Sequence, residues 1–265
     1  MLLAATNVAT ATIVACAGIL AVVPRRASAW AWECAGSAMV VVFTSLPGPL
    51  LGPLGWYYEW VGFHIGILAA DRLSGAHVNP AVTTAFLAYG NLGLAEWAAR
   101  VSGQMAGGCL GFVMLKHILA TCCDLQIGGP ATASESATYD AAVSEGVATF
   151  LLLSAVIIAS ETVGSFYWIK MSCIAGAVRA IIQMPPLIAP TGPAVNPMIA
   201  TSYHIVLHDA LPADWVRFLS IYWVAACSGA IAAAFLWFGV AKALKGGKKQ
   251  VAAPASKTKK KAKKA

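Results

Sequence analysis

Charge is scarce in this chain: only 11% of its 265 residues are Asp, Glu, Lys or Arg, while 59% are hydrophobic and the mean hydropathy is +0.72. One soluble core cannot hide that much apolar surface, so an ordinary water-soluble domain is excluded and a bilayer is the expected solvent. Cysteine spacing of the C-x-x-C kind is also missing. The seven cysteines, Cys16, Cys34, Cys109, Cys122, Cys123, Cys173 and Cys227, fall mostly inside apolar stretches and read as small packing residues. Adjacent Cys122 and Cys123, in an expected loop, are the one pair for which a redox reading stays open. No metal site, cofactor or catalytic constellation is evident, so an enzyme is not expected.

Basic charge is sparse outside the C-terminal end. The net charge of +7 suggests nucleic acid at first, but ten of the eighteen basic residues lie in the last 24 positions. The remainder carries eight basic against eleven acidic residues, so basicity is a property of the tail and no nucleic-acid partner is expected.

What the sequence does have is long hydrophobic runs. Apolar spans fall near residues 2–23, 31–48, 51–70, 97–119, 141–160, 167–189 and 215–238, each near the roughly 20 helical residues that cross a bilayer. Two shorter apolar pieces, 79–89 and 196–207, are too short to cross. Both open on Asn-Pro. Gly75-Ala76-His77-Val78-Asn79-Pro80-Ala81 is echoed 117 residues later by Gly192-Pro193-Ala194-Val195-Asn196-Pro197-Met198. Asn is a preferred helix N-cap, and Pro at the first helical position lacks an N–H that would be orphaned anyway, so each element predicts a short helix beginning inside the membrane.

Residues 120–140 lose the apolar pattern and divide the chain into halves that match in order. Glu33 precedes Asn79 by 46 residues and Glu145 precedes Asn196 by 51, while Gln104-x-x-Gly107 corresponds to Ala226-x-x-Gly229. An odd number of spans, duplicated, forces the second copy into the opposite orientation, giving an inverted repeat with three spans and one half-helix per half. Irregular backbone at membrane depth is tolerated only beside protein or a wet cavity, so two half-helices meeting there imply a passage or a binding site. Either is transport.

If the Lys tail is cytoplasmic, Arg25, Arg26, Arg72, Arg100 and Lys170 fall on the cytoplasmic side and Lys116 and Arg217 on the other, in line with the positive-inside rule. Trp30, Trp32, Trp56, Trp97, Trp168, Trp215 and Trp237 lie near span ends, where an interfacial aromatic belt would put them. Three regions follow: 1–30, an N-terminal hydrophobic extension that is an extra span or a targeting segment; 31–240, a channel domain; and 241–265, a disordered Lys-rich cytoplasmic tail. The tail reads as a solvated end or as a segment drawn to anionic lipid headgroups.

Glu33, the stretch from Ser74 to Val82, Gln104, Glu145, the second Asn-Pro element and Tyr222-Trp223-Val224 together resemble the aquaporin, or major intrinsic protein, family across about residues 31–240. Pro193 before the second Asn, Ile199 after it and the Lys-rich end look most like the small basic intrinsic proteins of that family. The resemblance implies an all-α membrane protein, an aquaporin-like six-helix bundle with two Asn-Pro half-helices in an inverted repeat, assembled as a homotetramer with one pore per subunit. It also implies passive permeation of water or small neutral solutes in the endoplasmic reticulum or another internal membrane. A K-x-K-x-x ending, Lys261 to Ala265, agrees with that compartment.

In such a pore Asn79, Pro80, Ala81, Asn196, Pro197 and Met198 form the two central motifs. Facing half-helix N-termini repel cations, and the Asn amides turn a passing water so that a proton does not hop through. By resemblance Glu33 and Glu145 hold the half-helix loops by accepting backbone N–H bonds; the rival role for intramembrane carboxylates is a proton relay. His77 reads as a structural hydrogen-bonding residue rather than a metal ligand. The family's narrow filter maps onto Glu59, Met184, Pro193 and Ile199, with Tyr58 or Trp60 replacing Glu59 if that helix is rotated by one position. Its usual Arg is Ile199 here, which makes polar solutes harder to admit. Met198, in place of Ala, either narrows the centre or repacks it. Arg179, deep in an apolar span, is a functional candidate that pairs with Glu59 or Glu161, or else reaches an interface. Two rivals remain for the function: a coupled transporter built on broken helices, and a non-conducting scaffold whose lumen Met198 and Ile199 block.

Overall fold

The computed structural model describes residues 28–45, 64, 71, 75, 77–122, 127, 129–130, 137–163, 165–183 and 194–251. The expected span at 2–23, that at 51–70 apart from His64, and the chain after Val251 lie outside them. Among the described residues all regular structure is helical.

Helices α1 (Ala29–Thr44) and α3 (Leu94–Cys122) belong to the first half, with the short α2 (Pro80–Ala88) between them. The second half holds α4 (Thr138–Val163), α5 (Tyr167–Gln183), the short α6 (Pro197–Leu207), and a final rod made of α7 (Trp215–Leu219), a π-helical turn (Ser220–Ala225) and α8 (Ala226–Val251). At about 1.5 Å per residue, the nine residues of α2 and eleven of α6 reach about half of a hydrocarbon core roughly 30 Å thick. By length and composition α4 and the segment Trp215–Leu244 can each cross it alone.

Three boundaries differ from the apolar pattern. Helix α1 stops at Thr44, with Ser45 as its C-cap, although the apolar run continues to 48; Pro47 disfavours helical backbone in the residue before it. Cys122 is the last residue of α3 rather than part of a loop, and Cys123 lies outside the described residues. The final helix continues to Val251, past residue 240 where the channel domain was expected to give way to a disordered tail. Ala241-Lys242-Ala243-Leu244 is made of good helix formers, which keep the helix going after the apolar stretch has ended.

Backbone contact through glycine joins the spans of each half. On α3, Gly103, Gly107 and Gly111 recur every four residues and so form a groove along one face. Into it fit the backbone carbonyls of Trp30, Cys34 and Ala38 on α1, so closely that a Cβ on Gly107 would collide with the Cys34 carbonyl. The second half repeats the device. A Cβ on Gly229 of α8 would meet the Gly146 carbonyl of α4. Small residues that let helix backbones touch are the usual adhesive where lipid removes any hydrophobic drive between helices.

The half-helices are exchanged between the halves: α2 packs along α8, and α6 packs along α3. Buried apolar side chains from both halves, among them Ala81, Leu153, Val195 and Ala230, consequently share one cluster. Around the outside, Leu110 and Val113 of α3, Val147 and Leu151 of α4 and Phe235 and Leu236 of α8 are exposed. Such an apolar belt suits lipid rather than water. The tryptophans divide: Trp30, Trp168 and Trp215 are exposed as a belt requires, whereas Trp32 is buried. Trp97 and Trp237 donate their indole N–H to the hydroxyls of Thr84 and Ser154.

Candidate functional site

Each short helix begins as its sequence dictates. Asn79 and Asn196 are extended N-caps whose Oδ1 atoms accept from the backbone N–H of Ala81 (2.9 Å) and Met198 (3.0 Å), with Pro80 and Pro197 at the first helical position. The caps then reach across to each other. Asn79 Nδ2 donates to the Val195 carbonyl at 2.8 Å, and Asn196 Nδ2 donates to the Val78 carbonyl at 2.9 Å. Two helix N-termini of opposite chain halves thus meet tip to tip through a reciprocal pair of bonds.

Those carbonyls point the right way because Val78 and Val195 sit in the left-handed region, at φ 45° and 49°. A β-branched residue there is a genuine outlier, worth about 1–3 kcal/mol of strain that its surroundings must offset. The surroundings are Glu33 and Glu145. Glu33 accepts the backbone N–H groups of His77 (2.9 Å) and Val78 (2.8 Å), while Glu145 accepts those of Ala194 (2.7 Å) and Val195 (2.8 Å). Both carboxylates are fully buried.

Beyond that symmetry the two clamps differ. Glu33 also takes Arg100 Nη1 at 2.7 Å and Gln104 Nε2 at 2.9 Å, so four donors and one full positive charge surround it. Arg100 continues to Glu96 on its own helix, and Gln104 continues to Thr83, whose hydroxyl donates to the Asn79 carbonyl. His77 Nδ1 lies 3.2 Å from the same Thr83 hydroxyl, so the imidazole belongs to this hydrogen-bond network. Position 226, the counterpart of Gln104, is an alanine and offers Glu145 no side-chain donor. Arg100, which charge counting places at the cytoplasmic end, is thus a buried partner of Glu33, a role that sequence reasoning missed. Its spacing carried a signal: Glu96, Arg100 and Gln104 are four residues apart and occupy one row of α3.

A cavity of about 250 Å³ runs beside the two tips. Asn79 and Asn196 line it with Val78, Val195 and Ile199; Val40, Val82, Phe86, Leu152 and Ile174 are among its apolar walls. Ile199 therefore faces the cavity. Met198 does not line it: its side chain is fully buried against Val41 and Phe112, over Gly108, whose missing Cβ leaves the space that Met198 Sδ fills. Of the two outcomes open for Met198, repacking is the one observed. Pro80, Ala81 and Pro197 are buried in the helix starts. Glu59, Met184 and Pro193, with Tyr58 and Trp60, lie outside the described residues; Arg179 is half-buried on α5.

Each Asn tip has one amide hydrogen engaged by the opposite half and one more to give. Together with the helix N-termini, which carry about half a positive charge each, the tips make a donor-rich, cation-repelling spot in a cavity whose walls are mainly apolar.

A sequence model of the family described as "Major intrinsic protein" matches residues 59–237, more than half of the chain. An aquaporin from Laccaria bicolor is 32% identical over 111 residues, covering 40% of this chain and 41% of that protein, so the matched region spans less than half of the relative's length. The solved structure of the aquaglyceroporin from Plasmodium falciparum has a similar fold, with a TM-score of 0.55 at 21% identity over 82% of this chain and 93% of that one. By the family match the chain belongs to the major intrinsic protein family, the aquaporins.

Proposed function

We propose that the protein is a passive transmembrane channel for water and small neutral solutes. The observation that carries this reading is the junction of the two Asn caps beside the 250 Å³ cavity. A water at the tips accepts the spare amide hydrogens of Asn79 and Asn196 on its oxygen, which turns both of its own hydrogens away. The water file then has no donor aimed through the centre, and a proton has no path. Cations meet the positive ends of α2 and α6. Neutral solutes meet neither obstacle, and the names of the two relatives, an aquaporin and an aquaglyceroporin, agree with that substrate class.

Further parts of the reading follow from family membership. They are a homotetramer with one pore per subunit and a filter that includes Ile199; an internal membrane such as the endoplasmic reticulum is proposed from the resemblance to the small basic members and the Lys-rich end alone. The Lys-rich end would add attraction to anionic lipid. Because Met198 packs over Gly108, blockage of the lumen by that side chain, half of the scaffold alternative, loses its physical basis.

Purified protein in proteoliposomes tests the channel directly by osmotic swelling. Fast swelling with a low activation energy, independent of ions and without proton leak, is the expected result; saturable ion-coupled uptake would instead establish a carrier. Asn79→Asp and Asn196→Asp each replace an amide donor by a carboxylate facing a carbonyl. Each is expected to lower water permeability at least tenfold, and normal flux in both would remove the amides from the mechanism.

A further inference from the structure

The end of the cavity away from the Asn tips is lined where helices stop or start. Thr44 is the last residue of α1, Ser160 lies near the end of α4, and Lys170 is in the first turn of α5; all three line it, together with Asp71. Because membrane-spanning helices end near the membrane faces, this end is taken as the mouth. Against walls that are otherwise mainly apolar, Asp71 and Lys170 are the one acid and the one Lys or Arg among the described lining residues.

They face each other. Lys170 Nζ stands 3.6 Å from Asp71 Oδ2, with the two side chains 17% and 23% exposed. Each end is anchored in a different half of the molecule. The Asp71 carbonyl accepts the N–H of Gly75, which lies at φ 61° on the way to the first Asn-Pro tip. The Lys170 N–H donates to the Phe166 carbonyl at the start of α5, and its ammonium lies 5.1 Å from the centre of the Tyr167 ring. A long, flexible cation is thereby held on a fixed anion at the opening.

From this geometry we infer that the Asp71–Lys170 pair is a specificity-determining latch: it narrows the mouth to water and excludes larger neutral solutes, polyols and small amides, by keeping the Lys170 side chain in place. The inference rests on the channel reading above. At 3.6 Å the contact is longer than a direct hydrogen bond and both side chains keep some exposure, which leaves room for a single water to pass beside the pair. A polyol must displace the ammonium from its partner before it can enter the apolar lane. Selection at the mouth then comes before, and adds to, any at the constriction containing Ile199.

Stopped-flow light scattering on proteoliposomes tests this with water, urea and glycerol gradients on the parent protein, Asp71→Asn, Lys170→Ala and the double charge swap Asp71→Lys with Lys170→Asp. Each single substitution is expected to raise glycerol and urea permeability at least threefold while water permeability stays within twofold. The swap, which restores a pair of opposite sign, is expected to return the solute values to those of the parent. A conducting parent whose single variants leave solute flux unchanged would overturn the latch and leave the channel standing. A swap as leaky as the singles would overturn it too, because open space alone would then explain the gain. If the parent and all variants swell only at the background rate, the channel reading falls and the latch with it; a silent parent opened by either single variant would overturn the latch while leaving the channel standing, because the pair would then shut out water as well.

Discussion

Among single residues, the second Asn-Pro motif is the one that departs most from the first. Ala81 and Met198 occupy equivalent positions and both are fully buried, yet one side chain is several times the size of the other. The difference is absorbed by the third span of the opposite half, where Gly108 makes room for Met198 while Ala230 shares a cluster with Ala81. Met198→Ala, which would make the two motifs alike, is therefore expected to cost about 2–5 kcal/mol through the cavity it leaves and to leave water permeability unchanged. Gly108→Ala pushes a Cβ into Met198 Sδ and Ser202 Oγ. Paired with Met198→Ala it should cost less than the sum of the two single changes. Thermal unfolding in detergent, run as a double-mutant cycle, measures that coupling. The Asn caps are legible in the sequence because capping is local chemistry, settled within three residues. The direction of Met198 is not, because the glycine that decides it lies 90 positions away, and the role of Arg100 is hidden because its partner Glu33 is 67 away.

For whole helices, what matters is how the two bent loops before α2 and α6 are held. Val78 and Val195 carry the same left-handed backbone, but the clamp on the first loop contains a buried ion pair, while among the described residues the clamp on the second, at Glu145, consists of backbone N–H groups. A glutamine at either site keeps one acceptor and turns an NH₂ toward a donor. At Glu33 that change also breaks the buried ion pair with Arg100, which keeps its bonds to Glu96; losing one member of a buried pair costs up to about 3–5 kcal/mol. At Glu145 the loss is that of a hydrogen bond to a neutral group, about 1–3 kcal/mol. Glu33→Gln should thus lower the unfolding temperature more than Glu145→Gln, and equal shifts would show that Arg100 adds nothing to the first clamp. Helix existence is readable throughout the described chain from apolar runs and Asn-Pro starts. Helix ends are less so: α3 and α4 each overrun their apolar segments by three residues at both ends, and α8 runs to Val251. Hydropathy reports where lipid ends, while a helix ends where its backbone bonds do.

Across the whole molecule, the halves are not two bodies side by side. Because α2 lies on α8 and α6 on α3, each half lends its short helix to the other, and neither can bury its own alone. Fragments 1–127 and 128–265 expressed separately are expected to be degraded or to remain protease-sensitive, while co-expression should restore a stable complex. A protease-resistant single half would show that the exchange is dispensable. The division of the chain near residues 120–140 and the inverted duplication are visible in the order of motifs; the exchange is not, since nothing in a linear repeat says which copy a short helix leans on. The reciprocal bonds between Asn79, Val195, Asn196 and Val78 carry this mutual dependence to the centre. Like two people leaning back with hands clasped, neither tip can relax without the other falling, so damage at the junction should silence the protein outright rather than leave it half working.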